Sequence, residues 1–304
     1  AMVNYLNDEF DYTITGIDID NNSLEHSKNI FKQMTKPIEY QFQKADFLEM
    51  FKEFSQGNLF NNNYYSQIPR PDIIIANPPY VRTQNMSEGK SKYLASELNI
   101  TGKIDMYQAF IVAMINSLKD NGLIGFIVSN KFLYNKSGES TRNFLFKNLE
   151  IIEIIDLGDS KPFEASVLPV IIIGKKRKSN NKNVKFQKVY ESKDFSQISK
   201  ALNLDIYAAL DTNNDCIVLR NRSLFEITTG TIDIPENSHQ LWSLSNSKDL
   251  DFINKIHKNS NYIFKDVANV RVGIKTTADS FFIDKKNDTF KYWNIENEIT
   301  NWRF

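Results

Sequence analysis

The strand-like run Asp72-Ile73-Ile74-Ile75-Ala76 leads directly into Asn77-Pro78-Pro79-Tyr80. Such a run is expected to be a buried strand. Open α/β sheets bind ligands outside the carboxyl ends of their strands, so the tetrapeptide falls where chemistry is done. Two successive prolines restrict the backbone and fix the direction of the Pro78 carbonyl. The Asn77 side chain adds a second acceptor beside it, and Tyr80 adds an aromatic face. Two acceptors and a ring suit a planar amino group, such as the exocyclic nitrogen of a nucleobase. The alternative is a rigid turn with a packed tyrosine.

The elements that must position this site alternate along the chain. Strands are expected over 12–18, 38–42, 72–76, 123–128, 151–157, 167–173 and 184–190. Helical periodicity covers 23–34, 105–118 and 141–149, and Asn121-Gly122 closes the second of these. Strands alternating with helices point to a mostly parallel sheet covered on both faces. The character changes after Gly174, the pattern becomes irregular from about residue 200, and a domain boundary is expected there. The basic turn from Lys175 to Lys182 reads as a solvated hairpin tip or, less simply, as a phosphate contact.

The chain carries 37 basic and 37 acidic residues, which excludes a globally basic nucleic-acid binder but not a local basic face. One cysteine, Cys216, excludes a disulfide framework and a multi-cysteine metal site. No apolar run approaches the roughly 20 residues of a membrane helix. These features suit a cytoplasmic protein without membrane contact.

Asn77-Pro78-Pro79-Tyr80 is similar to the catalytic motif of the adenine-N6 and cytosine-N4 amino-methyltransferases that use S-adenosylmethionine. Glutamine-directed protein methyltransferases share the tetrapeptide. Other segments carry a closer resemblance, to restriction–modification methylases of the Eco57I and TaqI type. They are Asp105-Met106-Tyr107-Gln108-Ala109-Phe110, the stretch from Asn121 to Leu133, Pro162-Phe163-Glu164-Ala165-Ser166-Val167, and Val272 to Phe282. The resemblance implies a Rossmann-like methyltransferase sheet over 1–200, followed by the start of a mixed α+β target-recognition domain over 201–304.

It also implies roles. Asn77, Pro78, Pro79, Tyr80 and Phe163 would receive and activate a flipped adenine of double-stranded DNA. Asp18 would accept the ribose hydroxyls of the cofactor, and Asp46 its adenine amino group. Ile19 and Phe47 would sandwich that adenine, with Phe110 beside it. Taken alone, Asp18 and Asp46 could each be a helix cap or a solvated turn. Arg271, Lys275, Thr276 and Thr277 would touch DNA, and an endonuclease domain or subunit is a possible partner. Metal ligands are not expected.

The chain departs from this family at its start. The family's glycine-rich cofactor loop, with its first strand, should precede Asp18, yet the glycines before Asn77 are Gly16 and Gly57. A fragment of a larger methylase is therefore expected, with weakened cofactor binding. Two other readings stay open: a protein- or RNA-directed amino-methyltransferase of the same fold, and a non-catalytic DNA-specificity module. Cys216 has no neighbouring proline, which argues against carbon-5 cytosine methylation.

Overall fold

The computed structural model describes residues 11–34, 38–55, 69–80, 96, 105–160, 167–237, 239–262 and 264–268. The chain divides into two compact units, Ala1–Leu250 and Asp251–Phe304. The first holds two sheets.

The smaller sheet pairs β1 (Thr13–Asp18) with β2 (Glu39–Lys44) in parallel, from Thr13 opposite Glu39 to Asp18 opposite Lys44. Helix α1 (Asn21–Lys32) connects them, and α2 (Phe47–Ser55) follows β2. Phe31, Tyr40 and Phe42 pack as an aromatic trio between α1 and β2, with ring centroids 5.1–5.4 Å apart.

The larger sheet contains β3 (Ile73–Ala76), β4 (Leu123–Ser129), β5 (Glu150–Asp156), β6 (Pro169–Lys175), β7 (Val184–Ser192), β8 (Cys216–Arg220) and β9 (Ser223–Ile232), in the order β3-β4-β6-β5-β7-β9-β8. It is mixed. β3 and β4 are parallel, as are β5 and β7, whereas β6 runs antiparallel to both its neighbours, and β9 to β7 and β8. Because β6 inserts between β4 and β5, those two strands still point the same way. Their carboxyl ends share one edge of the sheet with that of β3.

The sheet runs on past residue 200, where the sequence pattern suggested a boundary. β9 pairs with β7 from Val184 opposite Ile232 to Ser192 opposite Leu224, so the later strands extend the same layer. The short helix α6 (Ile206–Asp211) packs on them, with Ile206, Ala209 and Leu210 joining Val189, Val218, Phe225 and Ile227 in a second cluster.

The main core lies under β4, β5 and β6. Helix α3 (Met106–Ser117) is buried over most of its surface, because it is covered by the sheet on one side and by α2 and α5 (Glu139–Asn148) on others. Its start is held by Gln108, whose Oε1 accepts from the Asp105 N–H at 2.9 Å and whose Nε2 donates to Thr141 Oγ1 at 2.6 Å. The first turn after β4, α4 (Lys131–Tyr134), is clamped from both sides. Phe132 meets Trp242 edge-on at 6.0 Å, and the buried Arg142 guanidinium donates to the carbonyls of Phe132 and Asn135.

Turns in this unit are made largely by asparagine. Asn121, Asn181, Asn183, Asn213 and Asn221 take φ between 47° and 64°, as Arg222 does at 68° and Gly158 at 48°. Asn121, expected with Gly122 to close the helix over 105–118, takes its positive φ three residues past the Leu118 C-cap of α3, just before β4. The second unit contributes most of α7 (Ser247–Asn259), which begins in the first, and a short α8 (Phe264–Val267).

Candidate active site

β3 positions the Asn-Pro-Pro-Tyr segment. Its amino end is held by Lys119, whose Nζ lies 2.8 and 2.9 Å from the two Asp72 carboxylate oxygens, and by the Leu123 N–H donated to the Asp72 carbonyl. β3 is not buried on both faces, as the sequence suggested. Ile74 and Ala76 pack into the main core, while Ile73 and Ile75 are 48% and 64% exposed. Among the described residues β3 pairs only with β4.

Register sets Ala76 opposite Phe126. Asn77, one residue on, is exposed, Pro78 is buried and Tyr80 is half-buried. The Tyr80 hydroxyl approaches the Ile127 carbonyl at 3.5 Å, a long contact, and burial raises its pKa. The motif therefore leaves the sheet beside β4 with an exposed amide and an anchored ring.

The two acids stand at the carboxyl ends of the smaller parallel pair. The Ala45 N–H donates to the Asp18 carbonyl at 3.0 Å, which joins the two turns. Asp18 is exposed, and its Oδ1 accepts from the Asp20 N–H at 2.8 Å. The helix-capping alternative is filled by a neighbour: Asp20 accepts from the Asn22 and Ser23 N–H groups at the start of α1. The Ser23 hydroxyl, with those N–H groups, holds the Asp20 carboxyl below the usual range. Asp46 does cap a helix, since its Oδ1 accepts from the Leu48 N–H at 2.9 Å in α2. Ile19, between the acids in sequence, is 68% exposed.

Phe47 and Phe110 are brought together, stacked with centroids 5.8 Å apart and ring planes 24° from parallel. Both pack against the main core along with Ile74 and Ala76. That packing links the β2–α2 turn, through α3, to the strand bearing Asn77. Phe163, Arg271, Lys275, Thr276 and Thr277 lie outside the described residues.

The loop that carries Phe163 does have described stems. It leaves β5 at Asp156 and returns into β6 at Pro169, at the same sheet edge as Asn77. The Leu157 N–H donates to the Pro169 carbonyl at 2.9 Å, and the Asn130 N–H to the Leu168 carbonyl at 2.8 Å.

A group that the sequence did not single out lies at these stems. The carboxylate of Asp156 is fully buried and accepts four hydrogen bonds. Its Oδ1 takes Asn130 Nδ2 at 3.0 Å and the Gly158 N–H at 3.1 Å. Its Oδ2 takes the hydroxyls of Tyr134 at 2.7 Å and Tyr190 at 2.8 Å. Burial, then the adjacent carboxylate, pushes both phenols far above their ordinary pKa. An acid closing a buried strand was the available signal, the same one that marks Asp18.

The basic turn lies at the opposite edge. Lys175 pairs across from Leu123, at the amino end of β4. Arg177 is engaged by Glu150 at 2.5–2.6 Å, and Lys176 donates to the Leu118 and Asn116 carbonyls. The segment is not the hairpin tip that the sequence suggested, because β5 lies between β6 and β7 in the sheet. Among the described residues, no group of acids, histidines and cysteine could hold a metal, and no helix is long and apolar enough to cross a membrane.

Comparison with known proteins extends these observations. The Eco57I restriction-modification methylase model matches residues 10–163, just over half of the chain. Type II methyltransferase M.BanIII of Aneurinibacillus aneurinilyticus is 38% identical over 246 residues, covering 79% of this chain and 42% of that protein. Type II restriction enzyme and methyltransferase RM.Eco57I of Escherichia coli is 26% identical over 247 residues, 75% of this chain and 22% of that protein. The chain thus spans well under half the length of either relative. Among solved structures, the type IIG restriction endonuclease BpuSI matches with a TM-score of 0.50 at 15% identity, over 93% of this chain and 33% of that one, a likeness of fold. The chain belongs to the Eco57I restriction-modification methylase family.

Proposed function

We propose that the protein transfers a methyl group from S-adenosylmethionine to the N6 amino group of an adenine in a specific double-stranded DNA sequence, within a restriction–modification system. The observation that carries this reading is the exposed Asn77 amide beside the buried Pro78, at the sheet edge from which the 157–168 loop also springs. The similarity to M.BanIII, named a Type II methyltransferase, and to RM.Eco57I, named a Type II restriction enzyme and methyltransferase, supports methyl transfer within such a system.

The donor set fits the cofactor. An exposed carboxylate at Asp18, a second acid at Asp46 and an exposed apolar Ile19 near them suit ribose hydroxyls, an adenine amino group and a ring face. Phe47, seated on Phe110, is the second apolar wall. When bound, S-adenosylmethionine supplies an electrophilic methyl group.

The remaining work falls to the chain. A base must leave the duplex to reach this edge, at a cost of about a few kcal/mol. Tyr80 and Phe163 stacked on its two faces would return roughly 1–3 kcal/mol for the stacked base. The Asn77 side-chain oxygen and the Pro78 carbonyl accept hydrogen bonds from the amino group. Those bonds would favour a tetrahedral nitrogen with its lone pair free for attack; the nitrogen–carbon bond would form as the methyl–sulfur bond breaks, leaving a neutral thioether, and the nitrogen would release one proton to solvent. This is catalysis by position and fixed dipoles. The target-recognition part then shares its first strands, β8 and β9, with the catalytic sheet, and Arg271, Lys275, Thr276 and Thr277 contact DNA beyond it. An endonuclease domain or subunit completes the system.

The test is incubation of the full-length protein with S-adenosylmethionine carrying a labelled methyl group and with genomic DNA lacking the modification, followed by nucleoside mass spectrometry. N6-methyladenine should appear, and Asn77→Ala should abolish it while DNA binding is retained. Label on cytosine N4, on RNA or on protein glutamine would overturn the adenine assignment.

A further inference from the structure

We propose that the turn between β8 and β9 is a DNA contact, with the Arg222 guanidinium on a backbone phosphate of the duplex that flanks the target base. The inference rests on the function proposed above and names a surface that it would use.

The turn has two central residues, since Arg220 pairs with Ser223 across it. Asn221 and Arg222 both take positive φ, at 49° and 68°. Positive φ at both positions is the type I′ pattern, whose twist suits a hairpin and whose usual pair is asparagine followed by glycine. Here asparagine is present, but arginine stands in the glycine position. A long side chain in the left-handed region strains the folded chain, and glycine would hold the same turn freely. Backbone strain of this kind clusters at ligand contacts. Arg222 is exposed, and among the described residues its side chain has no hydrogen-bond or ion-pair partner. A guanidinium held out in this way offers a planar fork of donors that matches a phosphate.

The sheet brings this turn to the edge that bears Asn77. β8 points the same way as β7, and β7 the same way as β5, so the end of β8 lies on the side where β3 and β4 also end. Arg220 leans back along that edge, its Nη1 donating to the Ser160 carbonyl beyond β5 at 3.4 Å. Acids beside the turn are occupied: Glu191 accepts from the Ser223 hydroxyl at 2.5 Å, and Asp159 from the Glu191 N–H at 2.8 Å. Exposed lysines fill the interval, Lys131 after β4 and Lys193 after β7, and among the described residues neither side chain has a hydrogen-bond or ion-pair partner. β4 is one strand from β3, β7 is four, and the β8–β9 turn is five to six. At about 4.8 Å per strand the row extends roughly 25–30 Å from β3. That is the length of about eight base pairs, so a duplex laid along the edge from Asn77 reaches Arg222.

Arg222→Gly separates the contact from the fold, because it removes the charge and relieves the turn together. In the full-length protein its melting temperature should rise by about 2–4 °C. Binding to a fluorescent duplex of mixed sequence should weaken by about fivefold at about 0.15 M salt, with the log–log salt slope smaller by about 0.9 and the loss vanishing near 1 M salt. Arg222→Gln should lose the same slope without the rise in melting temperature. Lys178→Gly, which removes an exposed lysine at the opposite sheet edge, should leave the slope unchanged. An unchanged slope in both Arg222 variants would overturn the contact. An equal loss in Lys178→Gly would reduce the effect to net charge and overturn it as well. A lowered melting temperature in Arg222→Gly would assign the arginine to the fold, with the same consequence. A wild-type protein that binds duplex DNA through Arg222 but methylates none would instead overturn the function proposed above.

Discussion

Gly158→Ala, in the turn after β5, and Gly125→Ala, inside β4, make opposite predictions. Gly158 takes a left-handed conformation, which costs an alanine about 1–2 kcal/mol. The added methyl would also meet the Val189 carbonyl at 2.2 Å and the Tyr190 ring at 3.0 Å. The ring edge can tilt, but the carbonyl cannot retreat easily. Val189 sits in β7 opposite Ile227 of β9, and β7 is paired with β5 on its other side. A shift of about 1 Å there would weaken one or two ladder bonds, each with a net worth of about 0.5–1.5 kcal/mol. The sum is about 3 kcal/mol. Gly125 has nothing within 4 Å of an added Cβ and lies in regular strand. Alanine there should stabilise by about 0.4–1 kcal/mol, by restricting the unfolded chain. Urea unfolding followed by circular dichroism reads both. With a slope of about 3 kcal/mol per molar, the Gly158→Ala midpoint should fall by about 1 M and that of Gly125→Ala should rise slightly. Equal midpoints would refute the reasoning, because they would mean that β7 yields to the intruding methyl freely.

Other tests address separate parts of the molecule. Phe132→Ala removes the ring that meets Trp242 and should destabilise the first unit by about 3–5 kcal/mol, read from the same unfolding curves. Asp20 caps α1 with a carboxyl held low, so its contribution is complete above the ordinary aspartate pKa of 3.8 and is lost as pH falls through the lowered value. Carboxyl chemical shifts should therefore place its midpoint below that of a free aspartate, and a midpoint at or above it would remove the cap. Lys275→Glu in the full-length protein should weaken DNA binding and flatten the salt dependence by about 0.9 in log–log slope, and an unchanged slope would free Lys275 from any phosphate.

Much of the scaffold was legible because its signals are local. The strands from β1 to β7 and the helices α1, α3 and α5 fall within about two residues of the positions that periodicity and turn residues suggest. The exposed face of β3 was not legible, since an apolar run of four residues looks alike at an edge and in a centre. Neither was the attachment of β8 and β9, which depends on long-range pairing with β7. At the candidate site, the Asn-Pro-Pro-Tyr segment announced itself through rigid, unusual residues. Asp46 was legible as an acid open to a cofactor contact or a helix cap, and its carboxylate does meet the Leu48 N–H at the start of α2. Asp156 stayed hidden for a different reason. Apart from Gly158, its donors lie 22–34 residues away along the chain, so no spacing rule connects them.

The asparagine turns bear on how this sequence can drift. Glycine and asparagine both tolerate the left-handed region, so exchange at Asn121, Asn183 or Asn221 trades a little folded-state strain against a little unfolded-state freedom. Such positions are close to neutral ground, where substitutions accumulate without consequence. Asn181 looks identical by its backbone angle, yet it is closed to that traffic. Its buried side chain accepts from the Ile151 N–H at 2.7 Å and donates to the Leu149 carbonyl at 2.9 Å, where α5 hands over to β5. Glycine there would keep the turn and orphan both groups. A comparison of descendants of this chain should therefore find glycine freely at Asn121, Asn183 and Asn221 and asparagine retained at Asn181.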